Sequence, residues 1–179
     1  MANHDLKVTE HEGILLSLVL RQQPVTAYQL FRFFEQSPVT SINASKGQLY
    51  PAIRRLRQRG LLEAREVAGD GRKSEELSVT DVGRKAVRNW VKEINDAHII
   101  LDDPLRTRIL SFDVLTREER LEWVAKAKAL IKERRRYVDE YDAKVEVPYQ
   151  DFAYRSVTET LRIKMEWLDE LLYHLAASN

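Results

Sequence analysis

One hairpin signal in a chain of otherwise helical period constrains the fold most. Ala68-Gly69-Asp70-Gly71 contains an Asp-Gly pair, the dipeptide that tolerates positive φ in a tight β-turn. It lies between two partly alternating segments, Leu61 to Val67 and Glu76 to Val79. Upstream, apolar residues recur at helical spacings. Glu12 to Arg21 is apolar nearly all round and Pro24 stops it, so it reads as a buried helix. Thr26 to Gln36 sets Tyr28, Leu30, Phe31 and Phe34 on a second helix behind a Thr26 cap, ended by Ser37-Pro38.

Ser45 to Gly60 forms a third helix. Ser45 and Gln48 have capping-box spacing, Leu49, Ile53 and Leu56 make the apolar stripe, and Gly60 suits a left-handed end. Arg54, Arg55, Arg57 and Arg59 lie mainly off that stripe. Pro51 forfeits a helical hydrogen bond, which predicts a kink there or a helix proper beginning at Pro51, behind a compact turn at 45–50.

After the hairpin, Thr80-Asp81 caps a long helix in which Val87, Trp90, Ile94, Ala97 and Leu101 recur at spacings of three and four, until Asp102-Asp103-Pro104 breaks it. That break divides the chain into residues 1–102 and 103–179. The second part opens with a short apolar segment, Leu105 to Leu115. The capping box Thr116-Arg117-Glu118-Glu119 then starts a helix reaching about Lys144, its apolar stripe interrupted by Arg134. Beyond Pro148, Leu161, Met165, Leu168, Leu172 and Leu175 form a seam at alternating spacings of four and three. A thin two-helix arm cannot fully bury such a seam, so it is assigned to contact with a second copy of the chain. The expected fold is mainly α with a small β-hairpin: a winged helix-turn-helix domain carrying a long connecting helix, then an antiparallel helical dimerisation domain.

Composition narrows the chemistry. The 179 residues include no cysteine, which excludes disulfides, thiolate zinc sites and a cysteine nucleophile. His4, His11, His98 and His174 have no helical-spacing partner among themselves, and there is no Gly-x-Ser-x-Gly motif, so no metal, cofactor or enzymatic activity is implied. No apolar run approaches the roughly 20 residues that span a bilayer. With no signal-peptide pattern at the N-terminus, a cytoplasmic protein is expected.

Lys and Arg total 29 against 28 Asp and Glu, but they are unevenly distributed. From Ser45 to Lys73 there are eight basic residues and three acidic ones, whereas from Pro104 onward fourteen of each are present. A polyanion would be attracted to the first region and not the second.

The pattern Gly47-x-Leu49-Tyr50-Pro51-x-Ile53-x-x-Leu56-x-x-x-Gly60-Leu61, preceded by Leu15-Leu16, Leu18, Pro24, Tyr28 and Leu30 and followed by Gly71-Arg72 and Thr80-x-x-Gly83, resembles the PadR family of bacterial transcriptional regulators. A looser likeness continues through Phe112-x-x-Leu115-x-x-Glu118-Glu119. The chain departs from the family at Ala27, where glycine is usual, and at Lys73-Ser74-Glu75, where proline and basic residues are usual. The resemblance implies a homodimeric regulator, a repressor by expectation, that reads an inverted repeat in double-stranded DNA and is released by a small aromatic or phenolic effector.

A recognition helix presents its N-terminal side chains to the major groove. Ser45, Lys46, Gly47 and Gln48 supply hydroxyl, ammonium, backbone N–H and amide groups there, and Tyr50, Pro51 and Arg54 follow. Arg72 and Lys73 are the expected wing contacts. Composition alone leaves a solvated basic face as an equal reading; the family pattern favours DNA. For Tyr28 the choice is between a phosphate contact and a core position, and for Trp90 between core or interface packing and the wall of an effector pocket. Arg55 shares the N-terminal approach with Arg54, while Arg57 and Arg59 are candidates for salt bridges to neighbouring acids. The competing function is a winged-helix protein-interaction module without sequence-specific DNA binding, which Glu75 and the neutral total charge support.

Overall fold

The computed structural model describes residues 6–37, 46–67, 74–99 and 101–177 and divides the chain into two compact units, Met1–Ile100 and Leu101–Asn179. In the first unit, α1 (Glu10–Gln22) opens with a capping box in which the Thr9 hydroxyl accepts from the Glu12 N–H and the Glu12 carboxylate accepts from the Thr9 N–H. Thr26 and Gln29 repeat that device at the start of α2 (Ala27–Gln36). Just before it, β1 (Val25–Thr26) pairs antiparallel with the hairpin, Val25 opposite Leu77. The hairpin is β2 (Leu62–Val67) and β3 (Ser74–Val79), in register from Leu62↔Val79 to Val67↔Ser74, and the sheet order is β1-β3-β2. The expected two-stranded wing thus has a third, two-residue strand.

α3 (Lys46–Gln58) is helical through Pro51 and starts five residues before it, so the expected separate turn at 45–50 is a helical turn from Lys46 onward. Pro51 lacks only the N–H that would reach Gly47, one turn from the helix start. The proposed Ser45 cap lies outside the described residues. At the other end, Gly60 adopts φ 66°, and the Gly60 and Leu61 N–H groups donate to the Arg57 and Leu56 carbonyls at 2.9 Å each. This pair of bonds satisfies the last carbonyls of the helix and turns the chain into β2.

Thr80 fastens the next corner. Its hydroxyl donates to the Gly60 carbonyl at 2.7 Å and accepts from the Gly83 N–H at 3.0 Å, capping α4 (Asp81–Lys92). Gly83 lies against the Leu61 carbonyl, where a Cβ has no room. The core beneath these elements holds Leu15, Leu16, Leu30, Leu49, Leu56 and Leu61, all fully buried. Unlike the expected helix to Leu101, α4 ends at Lys92; Asn95 then caps a short 3-10 turn, Asp96–His98. The periodicity continues past that end, but Ile94 is exposed, at 81%.

In the second unit, Asp103 caps α5 (Pro104–Ile109), which a 3-10 turn at Phe112–Val114 follows. The expected Thr116–Glu119 capping box opens α6 (Arg117–Asp142), and α7 (Gln150–Ala177) returns antiparallel to it, as the Arg117–Leu175 and Arg135–Tyr154 hydrogen bonds at opposite ends show. Phe112 meets Trp123 edge-on with ring centroids 5.0 Å apart. Leu168 and Leu175 are buried in this core without a second chain, and Leu161, Met165 and Leu172 are half-buried beside them.

Among the polar ties between these elements are an ion pair to Asp103 and a cluster around Asp139. Lys164 bonds Asp103 at 2.9 Å; burial pushes the Asp103 carboxyl upward, but Lys164 and the Leu105 and Arg106 amides outweigh it and hold it below the ordinary carboxylate value. Asp139 accepts from the Tyr154 hydroxyl at 2.7 Å and from Arg135 at 2.8 Å, and these two bonds lower its pKa. No helix among the described residues is long and apolar enough to cross a membrane.

Candidate nucleic-acid interface

α3 presents two unlike faces. Leu49, Ala52, Ile53 and Leu56 are buried in the first core. Gly47, Pro51, Arg54 and Gln58, spaced one turn apart and all exposed, run along the opposite side. Tyr50, 48% exposed, stands beside that stripe, and exposed Gln48 flanks its other edge. Lys46 belongs to the first turn of α3, but its side chain lies outside the described residues, as do Ser45, Arg72 and Lys73 altogether. There is no acidic residue in the helix. The exposed polar groups and the Arg54 guanidinium along this stripe can approach a phosphate backbone or a base edge.

The four arginines differ sharply in what they touch. Arg55 donates to Glu12 Oε1 at 3.4 Å, and Arg59 donates to Glu12 Oε2 at 3.1 Å and to the Lys7 carbonyl at 2.6 Å. Glu12 is 5% exposed, so this acid at the head of α1 anchors the C-terminal half of α3. Arg57 grips Glu75 of β3 through two bonds, 2.8 and 3.3 Å. Arg54 makes no ion pair among the described residues and remains available to a ligand. Spacing alone assigns Glu12 no role; its one signal in the sequence is an acid in the first turn of a buried helix, in a chain whose third helix has only cations among its charged residues.

Tyr28 is 62% exposed at the start of α2, while Leu30 and Phe34 of the same helix enter the core, so Tyr28 is a surface residue. Trp90 is half-buried: its ring covers Gly13 of α1, where no side chain fits beneath it, and its Nε1–H donates to Glu10 at 2.8 Å. It also borders a cleft of about 450 Å³ with Leu6, Val8, Asn89 and Lys92. Among the described residues, no three His, Cys, Asp or Glu side chains gather as a metal site.

Residues 15–89 match the sequence model of the Transcriptional regulator PadR-like family. No curated protein matches the chain by sequence. Among solved structures, Bacillus subtilis PadR in complex with operator DNA is similar over 93% of this chain and 99% of its own, with TM-score 0.81 and 16% identity. The same PadR in complex with p-coumaric acid is similar over 93% and 96%, with TM-score 0.76 and 15% identity. The PadR-like transcriptional regulator from Bacillus cereus is similar over 94% and 97%, with TM-score 0.74 and 15% identity. The expected PadR resemblance and the winged-helix fold class are therefore both met.

Proposed function

We propose that this chain, PadR-like in residues 15–89 and in fold, is a DNA-binding transcriptional repressor that reads an inverted-repeat operator as a homodimer. The observation that carries the reading is the outer face of α3, where Gly47, Tyr50, Pro51 and Arg54 are exposed together, the helix itself holds no acid, and Arg54 is unengaged among the described residues. Side chains at the N-terminal half of such a helix reach base edges, and Arg54 suits guanine or phosphate. Ser45, Lys46 and Gln48 extend the same end, Arg72 and Lys73 supply the wing, and Tyr28 adds a hydroxyl from α2. The solved PadR bound to operator DNA supports this use of the fold.

Release by a small aromatic or phenolic acid belongs to the same proposal, with PadR bound to p-coumaric acid as its support. Such an acid acts only through different affinities for the DNA-competent and incompetent states. Fluorescence anisotropy of the purified chain against DNA from its own upstream region, with a scrambled duplex as control, tests the reading across a salt series. Tighter binding to the native duplex, weakening as salt rises, is the expected result. Equal weak binding to both, repeated over wider genomic fragments, would turn the assignment to a protein-interaction module.

A further inference from the structure

Arg57 lies on the DNA-facing edge of α3 and yet is occupied. Tyr50, Arg54 and Arg57 are spaced four and three residues apart, which aligns them along one exposed edge of the helix. Two guanidinium nitrogens of Arg57 meet the two carboxylate oxygens of Glu75, at 2.8 and 3.3 Å, and both side chains are partly exposed, 40% and 47%. A planar guanidinium presents the same fork to a carboxylate as to a phosphate. Glu75 therefore fills the position on Arg57 that a DNA phosphate would take. It also faces Glu66 across the β2–β3 ladder, so two like charges stand opposite each other beside this arginine.

From this geometry we propose that Glu75 is an affinity-setting residue: an internal phosphate mimic on the wing that withholds Arg57 from DNA and leaves Arg54 to carry the charge contact of that edge. The inference rests on the DNA-binding reading and adds a role for a wing residue to it. The pair is solvent-exposed and weak enough to open, so the mask is a competition rather than a fixed structural bridge. Arg55 and Arg59 differ, because their shared partner is a buried carboxylate at the helix head.

The test is a double-mutant cycle on the full chain, using Glu75→Gln, Arg57→Ala and the combination, titrated against a fluorescent random-sequence duplex over a salt series. Glu75→Gln is expected to bind several-fold more tightly, with a log K against log salt slope steeper by about 0.9, the value for one added phosphate contact. The combined variant, neutral at this pair as wild type is, is expected to keep affinity and slope near wild type, and Glu75→Gln is expected to gain less in the Arg57→Ala background, where only a stray negative charge is removed, than in the wild-type background. A gain of equal size in both backgrounds overturns masking, because it would reflect only the loss of a negative charge near DNA. Several-fold weaker binding by the combined variant also overturns it, since Arg57 would already be on the phosphate. Salt-independent or unmeasurable binding by wild type would instead remove the DNA-binding reading, and this inference with it.

Discussion

Arg54 and Arg55 are adjacent, chemically identical and both exposed, yet the structure separates their uses. Residue spacing could assign both to the N-terminal approach of α3, but it could not tell which would meet Glu12, an acid 43 positions earlier in the chain. Replacing Arg54 by Ala is expected to weaken operator binding by about 1–3 kcal/mol, roughly five- to 160-fold in Kd, while the melting temperature stays at wild type. An interaction module would show no such change in anisotropy. Glu12→Ala should do the reverse. It removes the capping box of α1 and leaves Arg59 without its carboxylate, at a cost of about 2–3 kcal/mol in urea unfolding. The long-range partner of a charged residue is the part of this site that periodicity cannot supply.

Local signals at element ends were the readable part of the fold. Thr26, Gly60, Thr80 and Thr116 act within three or four residues of themselves, and all four end or start elements as their chemistry requires. β1 was not readable because two residues, Val25 and Thr26, establish no period; only β3 beside them makes them a strand. The end of α4 is hidden for the opposite reason, since Ile94 and Ala97 keep the helical spacing although both are exposed. At the α3–β2 corner, Gly60→Ala is expected to cost about 1 kcal/mol for a left-handed φ. Gly83→Ala is expected to cost more, about 2–3 kcal/mol, because its Cβ would meet the Leu61 backbone carbonyl rather than a yielding side chain. Thermal or urea melts of the two variants check that order.

The α6–α7 pairing should also respond to acid. The Asp139 carboxyl is lowered by the Tyr154 and Arg135 bonds, so its contribution is complete above the ordinary value of 3.8 and disappears as pH falls through the lower folded value. Asp139→Asn is expected to flatten that part of the stability profile, followed by circular dichroism from neutral pH downward.

For the whole molecule, the proposed homodimer requires a surface that joins two copies of the chain. Heptad-like spacing shows that a helix face is buried, but not whether its own chain or another buries it. Here α6 already covers Leu168 completely, so Leu168→Glu would damage the fold of the second unit before it reported on assembly. The apolar side chains left over on α7 are Phe152, Ile163 and Tyr173, 71%, 57% and 78% exposed, and their spacing of about three turns places them on one side of the helix. A homodimer built through this unit has them available to it. Ile163→Glu is therefore expected to shift the sedimenting species from dimer to monomer without altering the helical signal, whereas Leu168→Ala should lower unfolding stability by about 2–5 kcal/mol. Because a twofold interface fixes the spacing of the two recognition helices, the Ile163→Glu monomer should also lose its preference for an inverted repeat while keeping salt-dependent binding to a single half-site. A wild-type chain that sediments as a monomer would separate these two properties and leave one reader acting on one half-site.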